Sequence, residues 1–168
     1  MLHGPAMTRE EAIKAIEVGI EVVEDLKKKG YNVFATGEMG IGNTTTSSAI
    51  CAVLLNQSVE RVTGKGSGLT SEALEHKIEV IKESIRINKV DPEDPLDVLS
   101  KVGGLDIAGL VGCFIGAAAA GMPIFVDGFI SSIAALLAIK IAPACDPYIF
   151  PSHCSNEPAG KLVLDAMN

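Results

Sequence analysis

Short apolar segments alternate along this chain with longer segments of helical character, and this alternation most constrains the fold. The strand-like segments are YNVFATG, PIFV and PYIFPSH, and helical patterns such as Ser71–Asn88 precede and separate them. Successive parallel strands need long crossover connections, which are usually helices. The sequence therefore predicts one α/β domain over residues 1–168, with a largely parallel, Rossmann-like sheet flanked by helices.

The N-terminal segment has the boundary signals of an amphipathic helix. Thr8 is followed three residues later by Glu11, which is the spacing of a capping box. Lysines followed by Gly30 are typical of a helix C-terminus. The predicted apolar stripe consists of Ile13, Ile16, Ile20 and Val23.

One segment resembles a membrane span. Residues Ile107–Val126 include no charged side chain over twenty positions, the length that a bilayer requires. The sequence Gly121-Met122-Pro123 interrupts this segment, and Asp127 follows it directly. We interpret it as a buried Ala/Gly-rich helix, a turn and a strand, and we expect no membrane partner.

Charge and cysteine content narrow the classes of partner and compartment. A formal net charge of −7 argues against nucleic acids and anionic membranes, which favour a basic protein surface. The N-terminal residues MLHGPAMTREEA lack the order of a secretion signal. We expect a cytoplasmic protein with no metal site, because no CxxC pair occurs among the cysteines. We also expect no cofactor. These cysteines are Cys51, Cys113, Cys145 and Cys154.

Polar and glycine-rich residues follow all three predicted strands. The segments concerned are TGEMGIGNTT, VDGF and PSHCSNEP. In parallel α/β sheets, ligands bind beyond the carboxyl ends of the strands. The three segments therefore predict one ligand site at that edge of the sheet.

The first of these segments has the character of a phosphate loop. Glycines allow a ligand to approach the backbone closely, and the helix that follows presents N–H groups that favour an anion. The pattern matches neither Walker A nor GxGxxG. The alternative is a tight turn with Asn43 or Thr44 as the helix N-cap. That turn would not need Glu38, so we favour phosphate binding.

A second glycine loop, TGKGSG, precedes the helix Ser71–Asn88, and by itself it could equally be a flexible connector. Lys77 lies within that helix, where a lysine is usually solvated. Only a neighbouring phosphate would make Lys77 a ligand. The pattern leaves these alternatives open.

The later strand ends carry other candidate ligands. Asp127 is either a cap for the next helix or a ligand to a sugar hydroxyl, and the sequence does not decide between these roles. Ser152, His153 and Ser155 could donate hydrogen bonds to a ligand. Alternatively, Ser155 or Asn156 could cap the last helix. No nucleophile–base pair is evident.

Seven segments resemble the signature of the nicotinate-nucleotide–dimethylbenzimidazole phosphoribosyltransferases of cobalamin assembly. They occur in that family's order and cover nearly the whole chain. The segments are AMTREEA, GEMGIGNTTTSSAI, TGKGSGL, HKIEVI, DPLDVLSKVGGLDIAGL, VDGFISSIAAL and SHCSNEPAGKLVL. The resemblance implies a parallel-sheet domain with a smaller helical domain, and a homodimer. It also implies transfer of phosphoribose from nicotinate mononucleotide to dimethylbenzimidazole, giving α-ribazole phosphate and nicotinate.

The resemblance also implies roles for individual residues. Glu38 would lie near the ribose and the reacting ring nitrogen as the catalytic carboxylate. The phosphate would be held by Gly40, Ile41, Gly42, Asn43, Thr44, Gly66, Ser67, Gly68 and Lys77. The ribose and base pocket would include Met39, Asp127, Ser152, His153 and Ser155.

The chain departs from the family pattern in one respect. The family's main general-base glutamate lies in a Gly-Glu-Gly segment near the C-terminus, and no such segment occurs in these 168 residues. We therefore expect the large domain without the small helical domain, with weak or no activity alone. The alternative is a phosphoribosyl-nucleotide-binding domain that is not catalytic.

Overall fold

The computed structural model describes residues 1–167, in which helices surround a small parallel sheet. The helices are α1 (Arg9–Lys28), α2 (Asn43–Leu54), α3 (Val59–Val62), α4 (Ser71–Asn88), α5 (Pro95–Val102), α6 (Leu105–Ala119), α7 (Phe129–Ile141) and α8 (Gly160–Asp165). A 3₁₀ helix spans Pro143–Tyr148. The strands are β1 (Phe34–Ala35), β2 (Ile124–Val126) and β3 (Ile149–Pro151). The alternation of helices and strands confirms the predicted α/β class.

The three strands are parallel and lie in the order β1-β2-β3. Phe34 pairs with Ile124, and Ile124 pairs in turn with Ile149. These three side chains lie on the better-buried face of the sheet. On the other face Phe125 and Phe150 are exposed, with their ring centroids 5.9 Å apart.

The first strand is much shorter than the sequence predicts. Strand β1 comprises only Phe34–Ala35 of the segment YNVFATG, and Thr36 N adds one further backbone hydrogen bond, to Phe125 O. Tyr31 and Val33 are more than half exposed. The apolar residues Tyr31 and Val33 therefore do not belong to a buried strand, as the sequence pattern had suggested.

The capping box at the start of α1 is present, but the predicted apolar stripe is rotated. Thr8 Oγ1 accepts a hydrogen bond from Glu11 N, and Glu11 Oε2 accepts one from Thr8 N. Ile13 is exposed, so its place in the stripe was wrong. The buried residues of α1 are Ala12, Ile16, Gly19 and Val23.

The surface of α6, against which α1 packs, explains this rotation. A Cβ atom at Gly112 of α6 would overlap Ile16 O, and one at Gly19 would overlap Gly109 O. The helix backbones are therefore in close contact, and α1 turns its smallest residues toward α6. Close packing at this contact therefore buries Ala12 and Gly19 together with Ile16 and Val23 of the predicted stripe.

The uncharged segment Ile107–Val126 is divided as predicted. It contains most of α6, a turn and β2, with Gly121 at φ +65° in the turn. Within residues 1–167, none of the helices combines the length and the apolar character that crossing a membrane requires.

The C-terminal helix begins later than the sequence suggests. Its N-cap is Ala159, which makes no side-chain cap, so neither Ser155 nor Asn156 caps it. Ser155 Oγ instead accepts a hydrogen bond from Glu157 N at 3.3 Å, and Gly160 N donates to Glu157 O at 2.8 Å. A tight turn around Glu157 therefore precedes α8.

Candidate functional site

The segments that follow the three strands lie side by side at one edge of the sheet. Thr36 N donates to Phe125 O at 2.9 Å, and Ser152 N donates to Val126 O at 3.0 Å, so the pairing continues to the strand ends. Asp127 follows the central strand. A Cβ atom at Gly37 would lie 3.8 Å from Asp127 Oδ2. The adjacency that the sequence predicts for the three polar segments is therefore observed.

The first glycine loop ends at the N-terminus of α2 without a side-chain cap. Gly42 is the N-cap in a left-handed conformation, with φ +91° and ψ −10°. Asn43 and Thr44 begin the helix itself, so the prediction that one of them is the cap was wrong. Because no side chain caps α2, the N–H groups of its first turn are suited to binding an anion.

Glu38 folds over this loop. Its carboxylate accepts a hydrogen bond from Asn43 Nδ2, and a Cβ atom at Gly40 would lie 2.6 Å from Glu38 Oε1. Glu38 is only partly buried. The carboxylate therefore lies within the loop, as the sequence analysis expects, and it orients the amide that begins α2.

The side chains of Met39 and Ile41, in contrast, are fully exposed. Within residues 1–167 they pack against nothing that would form a base pocket. The proposed role of Met39 in that pocket thus remains a prediction from the resemblance.

Lys77 is buried, contrary to the solvated position that is usual for a helical lysine. Only 7% of it is exposed. Its Nζ donates to Thr44 Oγ1 at 2.8 Å and to Gly64 O at 3.1 Å. It forms no ion pair with any residue in 1–167. Burial lowers the pKa of Lys77 below its ordinary value, and the charge of Glu157 opposes that change.

The second glycine loop packs against the start of α2. A Cβ atom at Gly66, where φ is +54°, would lie 3.0 Å from Thr44 Oγ1. Ser67 and Gly68 are exposed, in a turn that Gly68 N closes by donating to Lys65 O at 3.2 Å. The structure thus places Thr44 between Lys77, which donates a hydrogen bond to it, and Gly66 of the second glycine loop.

The segment after β3 approaches the site from the far side of the sheet. Ser152 Oγ donates to Val126 O at 2.7 Å and lies 2.9 Å from His153 Nδ1. Asp127 and His153 are exposed, and Asp127 does not cap α7, whose N-cap is Gly128. Their side chains are therefore accessible to a ligand.

Glu157 lies next to the candidate site, and the sequence analysis did not single it out. A Cβ atom at Gly64 would overlap Glu157 Oε2, so this carboxylate lies against the second glycine loop. The available signal was a carboxylate inside the strand-end segment PSHCSNEP.

A cleft of about 900 Å³ lies at the opposite end of α2. Its lining includes Asn56, Lys82 and Lys140, and none of the predicted site residues. It is thus distinct from the strand-end site. Among residues 1–167, no group of three or more His, Cys, Asp or Glu side chains is arranged to hold a metal ion.

Comparisons with known proteins agree on one family. The family described as "Phosphoribosyltransferase" matches residues 1–168. The nicotinate-nucleotide–dimethylbenzimidazole phosphoribosyltransferase of Ruminiclostridium cellulolyticum is 59% identical over 168 residues, which are 100% of this chain and 48% of that protein. The protein of the same name from Clostridium acetobutylicum is 57% identical, with the same coverage.

A solved structure extends this similarity to the fold. CobT from Thermus thermophilus superposes with a TM-score of 0.93 at 36% identity, covering 99% of this chain and 50% of that one. The chain spans about half the length of the curated relatives that it matches.

Proposed function

The chain belongs to the nicotinate-nucleotide–dimethylbenzimidazole phosphoribosyltransferase family, and we propose that it binds the phosphoribosyl group in that reaction. The overall transfer moves phosphoribose from nicotinate mononucleotide to dimethylbenzimidazole. It yields α-ribazole phosphate and nicotinate. The observation that carries this proposal is the contact of buried Lys77 with Thr44 and with the second glycine loop.

The phosphate would bind at the uncapped N-terminus of α2. Backbone N–H groups of Gly40, Ile41, Gly42, Asn43 and Thr44 would surround it, and Gly66, Ser67 and Gly68 would line the same pocket. Lys77 would supply the compensating positive charge, since charge-assisted hydrogen bonds to phosphate are stronger than neutral ones. Gly42 has a left-handed conformation that favours glycine, and without a side chain there the loop backbone is open to a ligand.

The ribose and base would lie across the neighbouring strand ends. Glu38 and Asp127 offer carboxylate oxygens to ribose hydroxyls, and the segment containing Ser152, His153 and Ser155 would close the pocket from β3. Met39 would contact the base. The exposure of Asp127 and His153 is compatible with these roles.

In the transfer, the bond between the anomeric carbon and the nicotinate ring nitrogen breaks, and nicotinate takes that electron pair. The attacking nitrogen of dimethylbenzimidazole forms the new bond, and a general base removes the proton from its other nitrogen. Positive charge develops at the anomeric carbon. Glu38, which lies in the phosphate loop, is the carboxylate that we assign to stabilising this charge.

The alternative function is nucleotide binding without catalysis. It is favoured by the hydrogen bond from Asn43 Nδ2 to the Glu38 carboxylate. A carboxylate that is bound in this way orients the loop, and it would have to exchange partners before it could accept a proton.

We further propose that the protein is cytoplasmic and forms a homodimer. Its four cysteines are free, which suits a reducing compartment. Sedimentation velocity over a range of concentrations would test the dimer, and a single species of monomer mass at every concentration would contradict it.

The binding proposal is tested by titration calorimetry with two ligands that differ only in the phosphate. We expect nicotinate mononucleotide to bind and nicotinate riboside to bind much more weakly, because the loop and Lys77 contact the phosphate. Equal affinities for the two ligands would contradict the assignment of the phosphate site.

A further inference from the structure

The backbone of Gly64 joins two charged side chains from different parts of the chain. Its carbonyl oxygen accepts a hydrogen bond from Lys77 Nζ at 3.1 Å. The Glu157 carboxylate occupies the space in which a side chain at this position would lie, and Pro158 Cδ would be 2.8 Å from a Cβ atom there. Position 64 therefore has to be glycine for both contacts to coexist.

The backbone holds Glu157 at this point. Glu157 N donates to Ser155 Oγ, and Glu157 O accepts from Gly160 N at 2.8 Å. The residue is half-buried. Hydrogen bonds on both sides thus restrict the backbone from which the carboxylate extends toward the loop.

The other groups that face Lys77 are neutral. Thr44 of α2 contributes a hydroxyl, and Gly64 of the loop contributes a carbonyl. Among residues 1–167, Glu157 is the charged group whose field acts appreciably on Lys77. A buried ammonium group with only neutral acceptors tends to lose its proton, and a neutral amine would not compensate a phosphate charge.

We propose that Glu157 is a positioning residue, which holds Lys77 in its charged form against Gly64 so that the lysine can bind phosphate at the first glycine loop. This inference rests on the proposed function. Glu157 itself does not contact the phosphate in this arrangement. Its carboxylate acts through Lys77 and through the position of the second glycine loop.

Two opposing effects follow from a carboxylate near a phosphate site. It keeps Lys77 protonated, which strengthens binding, and it repels the phosphate, which weakens binding. The phosphate affinity measured at a single pH reflects both effects together. The pH at which Lys77 loses its proton depends on the first effect directly, so it is the decisive measurement.

The experiment follows the ¹³Cε and ¹⁵Nζ resonances of Lys77 between pH 7 and 11 in the whole 168-residue chain. We expect Glu157→Gln to move the Lys77 titration midpoint to lower pH. Glu157→Asp keeps the charge but withdraws it from Gly64, so it should give a smaller shift in the same direction. Glu24→Gln, a loss of one exposed carboxylate on α1, should leave the midpoint unchanged.

Calorimetric titration of each variant with inorganic phosphate over the same pH range provides the second measurement. The alkaline loss of affinity should occur at lower pH in Glu157→Gln than in the unaltered chain. An unchanged Lys77 midpoint in a folded Glu157→Gln protein would overturn the inference. If Glu157→Gln does not fold, an unchanged midpoint in Glu157→Asp would overturn it equally.

The two proposals can fail separately. A shifted midpoint without any phosphate binding would contradict the proposed function and leave the effect of Glu157 on Lys77 established. Phosphate binding with an unchanged Lys77 midpoint would support the proposed function and contradict the role of Glu157.

Discussion

Lys77 combines a buried ammonium group with hydrogen bonds to two neutral oxygens. Desolvation of a charge is unfavourable, and neutral acceptors compensate it only in part. An anionic ligand beside Thr44 would supply the missing charge, which is why we regard this lysine as a ligand residue. Sequence alone could not predict its burial, because most lysines at such helical positions are solvated. Thr44, which accepts a hydrogen bond from Lys77, comes from a different part of the chain.

We expect Lys77→Ala to weaken binding of nicotinate mononucleotide by about 1.5–3 kcal/mol, as is typical for a lost charge-assisted contact. Calorimetry would measure this change. Lys82→Ala is the matched control, because Lys82 lies on the same helix but pairs with Glu60 and Glu79. Equal losses in the two variants would remove Lys77 from the site.

The cysteines should differ sharply in their reactivity with a thiol reagent. Burial raises the pKa of Cys51 to about 12, and it also raises the pKa values of Cys113 and Cys145. Cys154 is exposed. Because the thiolate is the reactive form, we expect one thiol per folded chain to react rapidly at pH 8 and four after denaturation. Absorbance of the released chromophore counts them, and Cys154→Ser should abolish the rapid phase.

At the scale of elements, the type and order of most helices and strands were predictable, whereas their faces and ends were not. The Ala/Gly-rich helix was correctly predicted to be buried, since its composition suits close contact. The face that α1 presents was mispredicted, because glycines on α6 rather than the isoleucines of α1 determine which residues approach. Likewise, β1 begins only at Phe34, after Tyr31 and Val33, which are more than half exposed. The face of α1 depends on the partner element, which periodicity within one segment does not reveal.

Two glycines of α6 provide a direct test of the contact between α1 and α6. A Cβ atom at Gly112 would overlap Ile16 O, whereas one at Gly109 would meet nothing within 4 Å. We expect Gly112→Ala to reduce the free energy of unfolding by about 1–3 kcal/mol through overpacking. Gly109→Ala should be neutral or stabilise by up to about 1 kcal/mol through helix propensity. Urea denaturation would measure both, and equal effects would contradict the close contact.

At the scale of the whole molecule, the site was predictable where it follows from topology. Alternating strands and helices imply a parallel sheet, and a parallel sheet places the ends of its strands at one edge, so Glu38, Asp127 and Ser152 could be grouped in advance. The contact of Glu157 with Gly64 could not be predicted, because it depends on how two irregular segments cross. The surroundings of Met39 and Ile41 could not be predicted either, because the sequence does not indicate that these apolar side chains are fully exposed.

Binding and turnover should separate in the 168-residue chain. We expect it to bind nicotinate mononucleotide but to release little or no α-ribazole phosphate when dimethylbenzimidazole is added. Loss of a general base typically lowers a rate by ~10² to 10⁴. The base that the family resemblance implies belongs to a Gly-Glu-Gly segment, which these residues do not contain. Glu38 is engaged with Asn43.

Product chromatography of the purified chain shows whether it forms α-ribazole phosphate. Turnover in the usual enzymatic range, on the order of 1–10³ s⁻¹, would show that residues 1–168 supply all of the chemistry and that the expected missing base is not needed. If only a trace rate appears, Glu38→Gln identifies its source. A carboxylate that accepts the proton or stabilises the developing charge cannot be replaced by an amide. The same amide can still bind Asn43 through its oxygen and keep the loop in place. Loss of the trace rate with unchanged mononucleotide affinity would therefore assign the residual chemistry to Glu38.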